Sequence, residues 1–122
     1  MPIPKILLAD DEPSLRRLVS VTLGSDDFQL LHASNGEEAL AVARQELPQV
    51  ALLDINMPRK NGIEVCRALK SDPATRCIKV VMLTAAGSES DIELALAAGA
   101  DAYFVKPFSP LALLNQVHAL IR

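Results

Sequence analysis

Apolar and polar positions follow two alternating periods along this chain. Short unbroken apolar runs recur: Ile6-Leu7-Leu8-Ala9, Val50-Ala51-Leu52-Leu53, Val80-Val81-Met82-Leu83 and Tyr103-Phe104-Val105. Runs of this length, rich in β-branched residues, predict strands buried on both faces, the habit of parallel sheets. Residues 28–33 supply one more strand, made more polar by Gln29 and His32, as an edge strand tolerates. Between the runs the period changes to that of a helix. Residues 13–24 carry Leu15, Leu18, Val19 and Thr22 on one face, and residues 36–47 carry Ala39, Leu40, Ala43 and Leu47. Further helices are predicted over residues 63–71, from about 88 to 99, and from Ser109-Pro110 to the end.

Local chemistry supports these boundaries. Pro13 suits a first helical position, where its missing N–H costs nothing. Asn35 and Glu38 have the spacing of a capping box, and Pro48 stops the same helix. Ser88 with Asp91 is again cap-like, and Gly99 is a helix stop. Asn35-Gly36 and Asn61-Gly62 have hairpin composition, but a helical pattern follows each, so both read as strand-to-helix loops.

The order βαβαβαβαβα specifies an α/β fold: a doubly wound, five-stranded parallel sheet with helices on both faces and right-handed crossovers. The 122 residues suit one domain over residues 1–122. Half the residues are apolar and only 3% aromatic, so Leu, Val, Ile and Ala must build the core. The net charge of −3 argues against direct nucleic-acid binding, which needs clustered Lys and Arg. No apolar stretch approaches the roughly 20 residues of a membrane span, and the N-terminus has no secretion-signal pattern, so a cytoplasmic location is expected. Cys66 falls in register with Ile63 and Leu69 and reads as a buried free thiol; a disulfide with Cys77 is not expected in a reducing compartment. His32 and His118 lack metal-ligand spacing and read as edge or surface residues.

Each apolar run ends in a polar residue. The first runs into Asp10-Asp11, the second into Asp54, the third into Thr84 and the fourth into Lys106. In a parallel sheet all C-terminal strand ends lie on one edge, where ligands of open α/β sheets bind. Three carboxylates, one hydroxyl and one ammonium are thus predicted to meet. Two unit charges ~4 Å apart cost about 4 kcal/mol at an effective dielectric near 20, so such a cluster needs a cation. Carboxylates without His or Cys select a hard ion, and Mg²⁺ fits best because it keeps waters and shares carboxylates with a phosphate. Lys106 and Thr84 would then serve phosphoryl oxygens, with Asp54 as nucleophile and Glu12 as an indirect helper. Taken singly, Asp10 or Asp11 could cap the first helix, Asp54 could cap a turn, Thr84 could be a strand residue and Lys106 could be solvated. No GxGxxG or GxxxxGK[ST] loop is present, so nucleotide binding is not supported.

Four motifs complete the picture: the acidic pair in LLADDEPSLRRL, LLDINMPRKNG, VVMLTA and GADAYFVKPF. Together they resemble the receiver domain of a two-component response regulator, over nearly the whole chain. The resemblance implies a flavodoxin-like three-layer sandwich with strand order 2-1-3-4-5. It implies Asp54 as phosphoacceptor, with Asp11, Asp54 and the Asn56 backbone carbonyl on Mg²⁺ and Asp10 partly through water. Thr84 and Lys106 would bind the phosphoryl group, and the Lys106-Pro107 bond would be cis. The implied donor is a phosphohistidine on a histidine kinase or histidine phosphotransfer protein. Thr84 and Tyr103 would then switch the surface of the fourth helix, fifth strand and fifth helix for a downstream effector. Such a protein catalyses only its own phosphorylation and dephosphorylation.

Several expectations are particular to this chain. Asn56 and Ala86 flank the water path and would set phosphate lifetime. Ala102 replaces an acid that many winged-helix relatives use in dimer salt bridges. The last helix, with Leu111, Leu113, Leu114, Val117, Leu120 and Ile121, is more apolar than one stripe requires, as core or as a homodimer or partner face. Two other classes remain open, a phosphate-independent interaction module and an Asp-nucleophile Mg²⁺ phosphohydrolase. The latter lacks its second acid here, since Asp54-Ile55-Asn56 replaces DxD. The chain stops where a receiver domain stops, either as a free-standing regulator or as a piece of a longer protein.

Overall fold

The computed structural model describes residues 3–23, 28–85, 89–106 and 108–121. Within them the chain alternates β1 (Lys5–Ala9), α1 (Pro13–Leu23), β2 (Gln29–Ala33), α2 (Gly36–Glu46), β3 (Val50–Asp54), α3 (Gly62–Ser71), β4 (Lys79–Ala85), α4 (Glu89–Ala97), β5 (Ala102–Lys106) and α5 (Pro110–Ile121). The strands form one parallel sheet in the order β2-β1-β3-β4-β5. Two apolar layers flank it, because successive strand residues face opposite ways. Leu7, Ala9, Leu53, Val80 and Met82 pack on one side with Ala39, Leu40, Ile63, Cys66, Leu69 and Ala95 from α2, α3 and α4. Ile6, Leu8, Leu52, Val81 and Leu83 pack on the other with Leu15, Val19, Leu113 and Val117 from α1 and α5. Each Leu or Val so buried contributes roughly 1.5–3 kcal/mol.

The three inner strands match the expectation of runs buried on both faces. β5 does not. Its Tyr103 and Val105 are exposed, at 44% and 38%, while Ala102, Phe104 and Lys106, which alternate with them, are half-buried. As the strand at the sheet edge beyond β4, it is covered on one face only, so its apolar run overstated its burial.

Helix ends follow local chemistry. Asn35 Oδ1 accepts from the Glu38 N–H at 2.9 Å. The full reciprocal capping box lies instead at Asn61 and Glu64, where 2.9 Å and 3.1 Å bonds run both ways. α2 stops one residue before the expected Leu47, which turns left-handed at φ 49° and donates its N–H to the Ala43 carbonyl. Gly99 closes the α4 turn at φ 103°, a conformation that costs glycine little. The expected Ser88 cap lies outside the described residues.

α5 settles most of the question its leucines raised. Leu113 and Val117 are buried, and Leu114, Leu120 and Ile121 pack partly on the same core. Leu111 is left 65% exposed. Cys66 is buried and Cys77 exposed, both free. His118 is exposed and lies against Phe28, with ring centroids 5.2 Å apart. His32 is half-buried on edge strand β2, and its Nδ1 is sealed from solvent without a hydrogen-bond partner among the described residues.

Candidate functional site

Register places the acidic residues. Ala9 of β1 pairs with Leu53 of β3, so Asp10 and Asp54, the next residue on each strand, leave the sheet side by side. Asp54 pairs in turn with Leu83, which puts Thr84 one step farther along β4, and Ala85 pairs with Lys106 at the end of β5. The four separate strand ends therefore converge on one edge.

Carboxylate oxygens of Asp10, Asp11 and Asp54 lie within 4.8 Å of one another. Asp10 and Asp54 are buried, while Asp11 is exposed. The Lys106 ammonium reaches over the pair, 3.1 Å from Asp54 Oδ2 and 3.4 Å from Asp10 Oδ2. It is also 3.7 Å from Glu12 Oε2. Backbone amides hold the other carboxylate oxygens: Glu12 N–H donates to Asp10 Oδ1 at 2.7 Å and Asn56 N–H to Asp54 Oδ1 at 3.0 Å. Each carboxylate is thus aimed by the loop that follows it, and Asp10 spends its capping capacity on a turn immediately before α1.

Burial and the neighbouring Asp54 charge push the Asp10 carboxyl up to about 6, even though the Glu12 amide and Lys106 pull the other way. Burial works against the Lys106 charge, but Asp54 and Asp10 outweigh it and raise its pKa above the ordinary lysine value. One ammonium therefore does not fully neutralise the pocket. Clustered oxygen donors with surplus negative charge fit a hard divalent cation.

The structure brings together Asp10, Asp11, Asp54 and Lys106, as the strand-end pattern predicts. Thr84 is buried on the adjacent strand end, and its hydroxyl donates to the Ala85 carbonyl at 3.4 Å. Asn56 is exposed in the loop after β3. Tyr103 lies three residues back along β5, roughly 10 Å from Lys106, facing outward. Ala86 and Pro107, and with Pro107 the expected cis bond, lie outside the described residues.

Sequence reasoning placed Glu12 near the site without seeing it reach Lys106. It also missed two features. An open cavity of about 440 Å³ lies beside Lys106, between Glu12, Ser14, Leu15, Leu18 and Phe108. Gly62 lets α3 approach Asp54: a Cβ there would stand 2.5 Å from the Asp54 carbonyl oxygen. A glycine following an Asn cap was the available signal.

The family model for the response regulator receiver domain matches residues 6–118. This chain belongs to the response regulator receiver domain family. It is 42% identical over 118 residues to the transcriptional regulatory protein ResD of Bacillus subtilis, covering 97% of this chain and 48% of ResD. It is 39% identical to the DNA-binding response regulator MtrA of Mycolicibacterium smegmatis, covering 97% of this chain and 50% of MtrA. The chain thus spans about half the length of these curated relatives. Among solved structures, the chemotaxis response regulator CheY4 of Vibrio cholerae superposes with a TM-score of 0.89 at 33% identity, covering 98% of this chain and 99% of CheY4. The receiver domain of a histidine kinase from Syntrophus aciditrophicus gives 0.89 at 30%, covering 97% and 89%. As a receiver domain this protein is a phosphoryl-accepting signalling switch of a two-component system, with the flavodoxin-like fold.

Proposed function

We propose that residues 1–122 form one receiver domain in which Asp54 is the phosphoacceptor and Mg²⁺ the cofactor. The observation that carries this is the meeting of Asp10, Asp11 and Asp54 oxygens within 4.8 Å beneath the Lys106 ammonium. Asp11, Asp54 and the Asn56 backbone carbonyl would hold the ion, with Asp10 partly through water. A bound Mg²⁺ supplies charge neutralisation for the carboxylates and the incoming phosphoryl oxygens.

This chain's own residues do the rest. An Asp54 carboxylate oxygen attacks phosphorus of a phosphohistidine; the O–P bond forms, the N–P bond breaks, and the imidazole leaves with the bonding pair and takes up a proton. Asn56 N–H fixes the carboxylate orientation before attack. Lys106 moves its hydrogen bond from Asp54 Oδ2 to a phosphoryl oxygen, and the Thr84 hydroxyl turns from Ala85 to another. Positioning and electrostatics of this kind supply most of the catalysis in phosphoryl transfer. The protein thereby accelerates its own phosphorylation, and by admitting water its own dephosphorylation.

The donor is a histidine kinase or histidine phosphotransfer protein. Movement of Thr84 lets Tyr103 turn inward and remodels the α4, β5 and α5 surface, which passes the signal to an effector. Half-exposed Leu94 and Leu96 on α4, Tyr103 and Val105 on β5, and Leu111 on α5 make that surface apolar enough for a homodimer or partner. No direct nucleic-acid or membrane contact is assigned to the domain; among the described residues no helix is long and apolar enough to cross a membrane. Labelling with acetyl phosphate tests the reading. Wild type should accept one phosphoryl group in Mg²⁺, and Asp54→Ala none. Full labelling of the variant would refute it.

A further inference from the structure

The loop over residues 55–61 must present the Asn56 carbonyl to the ion. Its two ends are fixed by the site itself. Ile55 N–H donates to the Leu83 carbonyl at 3.1 Å, and Gly62 N–H returns to the Ile55 carbonyl at 3.0 Å. Its crest is held by a different element. Gly36, the first residue of α2, donates its N–H to the Pro58 carbonyl at 3.3 Å. The crest itself is a tight turn, with Lys60 N–H on the Pro58 carbonyl at 2.9 Å and Arg59 left-handed at φ 71°.

Gly36 also touches Lys60 closely. A Cβ at position 36 would collide with the Lys60 carbonyl oxygen and Cβ, and would lie 2.6 Å from the Lys60 carbonyl carbon. Two of these three atoms are backbone, so relief requires moving the loop and not turning a side chain. The Glu37–Arg59 ion pair across the same contact is exposed at 3.4 Å and holds the loop only weakly. Between crest and site runs Met57, buried, with its N–H on the Ile55 carbonyl at 3.3 Å. A displaced crest is therefore transmitted to Asn56.

We propose that Gly36 is a positioning residue for divalent-ion binding. By letting α2 sit directly on the loop crest, it sets the aim of the Asn56 carbonyl without touching the site. The proposal rests on the reading of that carbonyl as a ligand. Its consequence is selective, because Mg²⁺ demands near-ideal octahedral geometry whereas Ca²⁺ accepts irregular oxygen cages.

Mg²⁺ and Ca²⁺ are each titrated calorimetrically into wild type, Gly36→Ala and Asn35→Ala, with folding checked by circular dichroism and urea unfolding. Gly36→Ala should weaken Mg²⁺ about tenfold and Ca²⁺ less than threefold. Asn35→Ala, which frees the Asn35 side-chain bond to Glu38 that fixes the same turn, should weaken Mg²⁺ about threefold with Ca²⁺ unchanged. This second variant keeps the test open should the first not fold. Equal losses for the two ions, or unchanged Mg²⁺ binding in a folded variant, overturn the proposal. Absence of Mg²⁺ binding by wild type would instead remove the site reading on which it rests.

Discussion

Lys106 spans three carboxylates from two loops with a single ammonium, and its removal separates structural from signalling roles. Lys106→Ala should keep the helical circular-dichroism spectrum and lose the signal. Tyr103 makes the signal visible, since it is the only tyrosine and the chain has no tryptophan. With Mg²⁺ and beryllofluoride, a phosphoryl mimic, wild-type tyrosine fluorescence should change and that of Lys106→Ala should not. An identical response in both would remove Lys106 from the switch. Cys66 offers a second residue-scale test. Burial pushes its thiol up to about 11 from an ordinary value near 9. The folded state thus keeps a proton that the unfolded chain gives up, so this contribution to stability is complete below about pH 9 and fades as pH rises through 11. At pH 8 Ellman's reagent should find Cys77 fast and Cys66 only at the rate of opening. Two fast thiols would contradict the burial of Cys66.

Helices and loops carry predictions of their own. Asn61 and Asn35 each accept one N–H bond on the side-chain oxygen, from Glu64 and Glu38, both at 2.9 Å. The return bond at Asn61 comes from its backbone N–H to Glu64 Oε1, which alanine keeps. Asn61→Ala and Asn35→Ala should therefore cost similar amounts, each in the range of about 0.5–2 kcal/mol by urea unfolding. A large difference between them would show that loop packing and not capping dominates. Among the described residues of α4 only Ala95 is buried. That helix should show the least amide-exchange protection of the five, in keeping with a moving part. The α4 sequence concealed this, because Leu94 and Leu96 look like core residues until the sheet edge leaves them half-exposed.

For the whole molecule, the parallel sheet was legible in the alternation of apolar runs with helical patterns, while its strand order was implied by the family resemblance. Parallel alternation alone brings Asp10, Asp54, Thr84 and Lys106 to one edge, and the register of Ala9 with Leu53 does the fine placement. What sequence patterns could not show depends on distances between elements. Gly36 against Lys60, Gly62 against Asp54 and the cavity beside Phe108 are contacts between segments whose spacing no local period encodes. The half-exposed β5 was misread for a related reason: an apolar run records composition, and its burial depends on what covers it.

A divalent ion binding folded but not unfolded chain should stabilise it by about 2.7 kcal/mol at a hundredfold excess over Kd. For a domain of this size that raises Tm by roughly 5–15 °C, reversibly on chelation and without unfolding. The central claim is most directly tested by a crystal structure grown with Mg²⁺ and beryllofluoride. It should show beryllium on an Asp54 oxygen, the ion on Asp11, Asp54 and the Asn56 carbonyl, and Lys106 with Thr84 on fluorine atoms. Beryllofluoride bound elsewhere, or an Asp54 left bare beside a filled metal site, would contradict the account.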